Sequence, residues 1–192
     1  MDLRNAWSAI REEACAVALH ADAAAGTATP ESCQWRPFFL HGHGFPIAEN
    51  LARCPHTATA LSRIPGLKTA FFSALAPGAH IPAHRGVTKG LITCNLGLIV
   101  PRDGDARMRV HDRVLRWAEG QTLVFDDTYD HEAWNDSNGT CVVLLIQFER
   151  PLAQPGKWLA DLFMGAVRRS PVVRAARTNI HAWNAAIRQM DV

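Results

Sequence analysis

A dense run of short β-strand patterns, from Lys68 to beyond Val143, constrains the fold more than any other feature of this chain. The candidate strands are KTAFFSAL, AHIPAH, GLITCNLGLIV, ARMRV, RVLRWA, QTLVFD, HEAWN and TCVVLLIQF. Turn sequences such as PG, RGVTKG, PRDGD, EG and DSNG separate them. Many short strands at close spacing are typical of a barrel or jelly roll and not of a βαβ sheet. The last strand is apolar on both faces, which predicts a position in the middle of a covered sheet.

Helical patterns flank this β-rich segment on both sides. Apolar residues recur at helical spacing in the first part of the chain and again after Pro151. The chain has 192 residues and shows no internal repeat, which predicts a single domain over 1–192. We divide it into an N-terminal helix over 1–26, a core over 33–151 and C-terminal helices over 156–190.

Composition narrows the class of protein. The net charge of +2 gives no electrostatic case for nucleic-acid binding, and the five cysteines form no CxxC pair. Charges near the N-terminus argue against a signal peptide, and no apolar run approaches the roughly 18 residues of a membrane span. We therefore expect a reduced, cytoplasmic protein without a membrane span. The basic residues from Lys157 to Val192 form either a solvated helix face or a docking site for an acidic partner, a carrier domain or an anionic surface.

Two of the nine histidines stand in contexts that suggest a metal site. His84 ends the strand pattern AHIPAH, and His131 lies within FDDTYDHEAW. Two histidines with one carboxylate hold iron(II) in non-haem oxygenases, but the usual carboxylate position after His84 is Gly86. The two histidines by themselves therefore do not decide between a metal site and two ordinary histidines at strand ends. His80 should share a face with His84, because side chains in a strand alternate with a period of two.

The motifs around these histidines resemble the aspartyl/asparaginyl β-hydroxylase family of iron(II)/2-oxoglutarate dioxygenases. The matching sequences are FS, PGAHIPAHRG, NLGLIVP, WAEGQ and FDDTYDHEAWND, in the same order across roughly residues 34 to 151. The resemblance implies a mainly β fold of the double-stranded β-helix type, jelly-roll or cupin-like, with flanking helices. It also implies a non-haem iron(II) dioxygenase that uses dioxygen.

The resemblance assigns roles to individual residues. His84 and His131 match the iron ligands, and Gly86 matches a glycine at which many members complete the iron shell with water. Asp127 matches an acid beside that water and is the candidate catalytic residue, although Asp126 and Asp127 could instead satisfy backbone amides in a turn. The implied cofactor is Fe(II), and the implied cosubstrate is 2-oxoglutarate.

The predicted cosubstrate pocket departs from the family at three of four positions. Ser73 matches a family serine that helps to hold the distal carboxylate of 2-oxoglutarate. Cys141 stands where the family has the arginine that binds this carboxylate, while Thr93 and Asn95 replace an arginine and a histidine. A thiol cannot replace a guanidinium fork, and a buried dianion without a cation is strongly disfavoured. Four cations near in sequence could compensate: Arg85, Lys89, Arg107 and Arg109.

Three hypotheses for the function follow. The first is a 2-oxoglutarate-dependent hydroxylase that acts on an unactivated C–H bond of an amino-acid-like, peptide or carrier-bound biosynthetic substrate. The second is an iron oxygenase without 2-oxoglutarate, in which the substrate itself chelates iron. The third is a cupin-like binding protein without catalysis, which the retained histidines and acid-rich motif disfavour. Trp117 and Trp134 either wall the pocket or pack in the core.

Overall fold

The computed structural model describes residues 3–19, 35–42, 44–86, 88–154, 156–169 and 171. The helices are α1 (Trp7–Ala14), α2 (Ala48–Arg53), α3 (Pro55–Leu61) and α4 (Gly156–Arg169). A 3-10 turn, Leu3–Ala6, precedes α1, and a π-helical turn, Cys15–Leu19, follows it. The strands are β1 (Trp35–Gly42), β2 (Phe45–Pro46), β3 (Leu67–Leu75), β4 (His80–His84), β5 (Leu91–Ile99), β6 (Gly104–Val110), β7 (Arg113–Arg116), β8 (Thr122–Phe125), β9 (His131–Ser137) and β10 (Cys141–Glu149).

These strands form two antiparallel sheets. The six-stranded sheet has the order β2-β1-β3-β10-β5-β8, and the four-stranded sheet has the order β4-β9-β6-β7. The chain passes repeatedly between the sheets from β3 to β10, so that hydrogen-bonded neighbours come from distant parts of the sequence. This is the topology of a double-stranded β-helix, and the predicted jelly-roll, cupin-like fold is confirmed.

The six-stranded sheet is covered on both faces. One face, which includes Leu144, packs against α1 through Ile10. The other face, with Leu75 and Val143, packs against Met108 of the four-stranded sheet. β10 lies between β3 and β5 and contributes to both clusters, as its two-sided apolar pattern predicted. Each fully buried leucine or valine stabilises the fold by about 1.5–3 kcal/mol.

The flanking helices are described in part. The N-terminal segment is helical over residues 3–19, in agreement with the prediction there, and the rest of the predicted helix lies outside the described residues. α4 confirms the first predicted C-terminal helix. The second, beyond Pro171, lies outside the described residues. Within the described part of the chain, no helix is long and apolar enough to cross a bilayer.

Candidate metal centre

His84 and His131 meet at the end where β4 and β9 pair. They are direct cross-strand partners, and their ring centroids lie 4.2 Å apart with the ring planes at 52°. Facing residues of an antiparallel pair bring their Cβ atoms within about 5.5 Å, so this register alone places the two imidazoles side by side. His84 is exposed and His131 is half-buried, which puts the pair at the open mouth of the barrel.

Each imidazole is oriented by a backbone carbonyl two residues before it. Nδ1 of His84 lies 2.8 Å from the carbonyl oxygen of Pro82, and Nδ1 of His131 lies 2.9 Å from that of Tyr129. A carbonyl only accepts, so Nδ1 carries the proton and the Nε2 lone pair stays free in the neutral ring. Metal-binding histidines are commonly fixed in this way.

Burial favours the neutral form of His131. Desolvation and, to a smaller extent, the neighbouring His84 lower the pKa of His131, and together they outweigh the carbonyl of Tyr129 and the carboxylates of Asp127 and Asp130, which raise it. The neutral imidazole is the form that binds a metal.

Asp127 places a carboxylate beside the two histidines. It is 4% exposed, and its Oδ2 accepts hydrogen bonds from Thr93 Oγ1 at 3.0 Å and Gln147 Nε2 at 2.7 Å. Its Oδ1 is buried and has no hydrogen-bond partner in the part of the chain that the structure describes. A buried, unpaired carboxylate oxygen is costly, which indicates an external donor such as a metal-bound water.

Gly86 makes room for this carboxylate. A Cβ atom at position 86 would lie 2.5 Å from Cγ and 2.8 Å from Oδ2 of Asp127. The Gly86 amide also donates to the Asp127 carbonyl at 2.7 Å. Asp127 therefore fills the space that a side chain at position 86 would need. In the described residues, no group of three or more His, Cys, Asp or Glu side chains is placed to hold a metal. The residues present thus fit an ion held by two imidazoles, with water in the remaining positions.

The contacts of Asp126 differ from those of Asp127. Its Oδ1 accepts from the Thr128 amide at 3.0 Å and the Thr128 hydroxyl at 2.6 Å, and its Oδ2 pairs with Arg150 at 2.5 Å. Burial raises its pKa, but these hydrogen bonds outweigh burial, and the pKa of Asp126 falls below its usual value. The turn interpretation is therefore confirmed for Asp126, which anchors the loop between β8 and β9.

The prediction that His80 shares a face with His84 is wrong. The register of β4 against β9 shifts between Ile81 and His84, which breaks the period of two. His80 instead stacks on Trp134 on the outer face, with centroids 5.1 Å apart, and its Nε2 lies 3.1 Å from Glu132 Oε2. Trp134 therefore does not wall the barrel interior.

The four predicted cosubstrate residues lie on the inner face of the six-stranded sheet. Strand register places Ser73, Thr93 and Asn95 on the face that carries Cys141 and Val143, and all four are buried. We call Ser73, Thr93, Asn95 and Cys141 the inner wall.

The inner wall is neutral and only partly hydrogen-bonded. The Ser73 hydroxyl accepts from Trp35 Nε1 at 2.9 Å, and Thr93 is tied to Asp127. Burial raises the pKa of the Cys141 thiol to about 12. Asn95 Oδ1 is buried without a hydrogen-bond partner among the residues that the structure describes. The same holds for Nε1 of Trp117, which packs in the core between the sheets.

No cation replaces the family arginine among the buried residues of the described chain. Arg107 lies on the outer face, where it pairs with Asp136 at 2.7 Å and covers the ring of Trp134. Arg109 pairs with Glu132 on that face. The hypothesis that Arg107 or Arg109 compensates is therefore wrong. Arg85 and Lys89 are exposed.

Sequence reasoning missed Gln147. This residue interrupts an otherwise apolar strand, and its register opposite Thr93 places it on the inner face. Its amide donates to Asp127 at 2.7 Å. The only signal was a polar residue within TCVVLLIQF, and a strand pattern does not reveal the partner of such a residue.

The fold and this centre define a cupin-like protein with a two-histidine candidate metal site. The sequence profile of the aspartyl/asparaginyl β-hydroxylase family matches residues 4–151, and the chain belongs to that family. It is 42% identical over 151 residues to the ornithine lipid ester-linked acyl 2-hydroxylase of Rhizobium tropici, covering 78% of this chain and 54% of that protein. It is 29% identical over 164 residues to human aspartyl/asparaginyl beta-hydroxylase, covering 80% of this chain and 21% of that protein.

The chain therefore spans about half the length of the first relative and about a fifth of the second. The Cupin_2 domain of an XRE family transcriptional regulator from Enterobacter cloacae aligns with a TM-score of 0.42 at 17% identity, over 61% of this chain and 98% of that chain. The family is one of hydroxylases, and both relatives are named as hydroxylases.

Proposed function

We propose that the protein is a non-haem iron(II) hydroxylase whose metal is held by Nε2 of His84 and of His131. One observation carries the proposal. Two cross-strand imidazoles, both with Nδ1 directed at a carbonyl, lie beside a buried carboxylate with one unsatisfied oxygen. This donor set suits iron(II) when water fills the remaining positions.

The protein's own groups position the ligands and a water. The carbonyls of Pro82 and Tyr129 keep each Nε2 unprotonated and aimed away from its strand. With a metal held by the two histidines, the free Oδ1 of Asp127, which Thr93 and Gln147 hold in place through Oδ2, would accept a hydrogen bond from a water bound to that metal. Bound iron supplies the activation of dioxygen, and the protein supplies orientation and exclusion of competing reactions.

The cosubstrate in this proposal is a 2-oxo acid, of which 2-oxoglutarate is the family example. It would extend from the mouth of the barrel along the inner wall. A second candidate is an iron oxygenase that uses no 2-oxo acid. The lack of a Lys or Arg among the buried described residues favours this alternative, because a 2-oxoglutarate dianion has no partner there.

We propose an acyl chain of a lipid as the substrate class, in place of the amino-acid, peptide or carrier-bound substrates expected from the sequence. The support is the 42% identity to an ornithine lipid acyl 2-hydroxylase, against 29% to an aspartyl/asparaginyl hydroxylase. Tyr129, two residues before His131, is 52% exposed. An exposed aromatic side chain in the loop before His131 suits contact with an acyl chain.

The test is a paired incubation with iron(II), dioxygen and a 2-oxo acid. One set contains micelles of an acylated ornithine lipid, and the other contains an aspartyl peptide. We expect a product heavier by one oxygen atom, detected by mass spectrometry, only in the lipid set, and none with His84→Ala. If only the peptide is oxidised, the substrate class is a peptide and not the acyl chain of a lipid. Equal turnover by His84→Ala would refute the metal site.

A further inference from the structure

The inner wall differs in charge from a pocket built to bind a dicarboxylate. Its four polar residues are Ser73, Thr93, Asn95 and Cys141, and none carries a charge at neutral pH. Apolar side chains lie beside them, Leu75 and Val143 on the same sheet face and Met108 on the opposite sheet. A second carboxylate would lose its hydration here without gaining a cation.

The carboxylate of Asp127 lies in this region and would further disfavour the binding of a dianion. Asp127 is buried between Thr93 and the mouth histidines, and hydrogen bonds from Thr93 and Gln147 already occupy its Oδ2. Like charges at close range in a poorly hydrated site repel each other. Two cations of the outer face are engaged elsewhere, since Arg109 pairs with Glu132 and Arg107 with Asp136.

The wall nevertheless retains unsatisfied polar atoms. Among the described residues, Oδ1 of Asn95 in the wall and Nε1 of Trp117 in the same core cluster are buried without hydrogen-bond partners, and the Asn95 amide donates to Met108 Sδ at 3.8 Å. Buried polar atoms are almost always satisfied, so unpaired ones in an interior indicate water or a bound molecule. A neutral tail could satisfy them, and the apolar neighbours would cover the rest of it.

From these observations we infer that the cosubstrate pocket selects a 2-oxo acid with an uncharged tail over 2-oxoglutarate. The inference rests on the proposed iron site and specifies its cosubstrate. One carboxylate and its adjacent keto group would face the metal at the mouth, and the uncharged tail would lie along the inner wall.

The proposed reaction balances for any member of this class. The 2-oxo acid loses its carboxyl group as carbon dioxide and becomes the carboxylic acid one carbon shorter. One atom of dioxygen enters that acid, and the other enters the C–H bond of the substrate as a hydroxyl group. The 2-oxo acid and the C–H bond are both oxidised, and dioxygen is reduced.

Binding distinguishes this inference from the proposed function. Iron(II) is first titrated anaerobically into the metal-free protein. The iron-loaded protein is then titrated with 4-methyl-2-oxopentanoate and, separately, with 2-oxoglutarate, and the visible absorption band of an iron-bound 2-oxo acid is recorded. We expect the branched acid to bind at least about tenfold more tightly than 2-oxoglutarate, because only the latter must bury a second carboxylate.

A pair of variants tests the role of the wall directly. Cys141→Arg should reverse the order of the two affinities, because a guanidinium then faces the distal carboxylate. Cys141→Ser is the matched control and should keep the wild-type order. If Cys141→Arg fails to fold, the wild-type comparison still decides the inference.

Each outcome has a defined meaning. Absence of iron binding refutes the proposed function, and the inference falls with it. Iron binding with equal or tighter binding of 2-oxoglutarate overturns the inference and leaves the iron site standing. Iron binding without a band for either acid also overturns the inference and favours the oxygenase that uses no 2-oxo acid.

Discussion

The mouth of the barrel and its inner wall are carried by different strands of the same fold, β4 and β9 for the histidines and β3, β5 and β10 for the wall, and they are built differently. At the mouth, each ionisable group is oriented by a specific partner: carbonyls for His84 and His131, and Thr93 with Gln147 for Asp127. The inner wall is neutral, and it leaves Asn95 Oδ1 unpaired. The mouth has the features of a preorganised ion site, whereas the wall has those of a surface for a neutral group.

The contrast indicates that metal binding and cosubstrate choice are separable properties of this fold. The metal ligands depend on the register of one strand pair, β4 with β9. The wall depends on side chains of β3, β5 and β10, whose backbone positions are fixed by apolar packing on both faces. Substitutions at Ser73, Asn95 or Cys141 can therefore change the ligand without disturbing the ion site, whereas Thr93 also holds Asp127.

The largest effect is expected at the mouth. His84→Ala or His131→Ala should weaken iron(II) affinity by about 100-fold or more, because each removes one of only two protein ligands. His80→Ala, four residues before His84 on the same strand, should leave that affinity within about twofold, since His80 lies on the outer face. Anaerobic titration of iron(II) measures both. If His80→Ala weakens iron(II) binding as much as His84→Ala does, His80 and His84 do not lie on opposite faces of the sheet.

A smaller loss of iron(II) affinity is expected at Asp127, where the mouth meets the inner wall. Asp127→Asn should weaken iron(II) affinity by about 10-fold to 100-fold, because an amide is a poorer acceptor for the water beside the metal. Asp126→Asn is the adjacent control. It should lower stability by about 1.5–3 kcal/mol through its lost pairing with Arg150 but leave iron affinity unchanged. Urea denaturation and iron titration of the two variants separate these effects.

Gly86→Ala tests the space that the Asp127 carboxylate occupies. The new methyl group would overlap Asp127, so we expect a loss of about 1–3 kcal/mol in the free energy of unfolding, together with weaker iron binding. Gly156→Ala in α4 meets no atom within 4 Å and should be neutral or stabilising. Chemical denaturation of both variants would check this. An unchanged Gly86→Ala protein would contradict the close approach of Asp127 to Gly86.

The smallest effect concerns the inner wall and appears as a pH dependence. Burial raises the pKa of the Cys141 thiol to about 12, above the value of about 8.5 expected in the unfolded chain. The folded state therefore holds this proton more tightly, and stability falls as the pH rises above about 8.5. The slope for one such group is about 1.4 kcal/mol per pH unit. In Cys141→Ala the free energy of unfolding should fall less steeply between pH 9 and 11. Identical slopes in the two proteins would show that the thiol is not buried as a neutral group.

Sequence patterns predicted the strands and the central position of β10 because burial on both faces leaves a continuous apolar run. The resemblance predicted the ligand pair, and the pairing of β4 with β9 brings His84 and His131 together. The side of the strand on which His80 lies could not be predicted, because one register irregularity between Ile81 and His84 reverses the alternation.

The contacts of polar side chains also escaped sequence reasoning. The role of Gln147 depends on which strands become neighbours, and this follows from the topology and not from the residues next to it. The same limit applies to Arg107 and Arg109. They are close in sequence to the barrel core, but each occupies an alternate position of β6 that faces outward.

The most direct test of the two-histidine site is the stoichiometry of iron(II) binding in the wild-type protein and in the double variant His84→Ala with His131→Ala. Metal-free protein is loaded anaerobically, freed of excess metal and analysed for iron, while circular dichroism confirms that the double variant is folded. We predict one iron per wild-type chain and none in the double variant. A folded double variant that retains one iron per chain would contradict the assignment of His84 and His131 as the ligands.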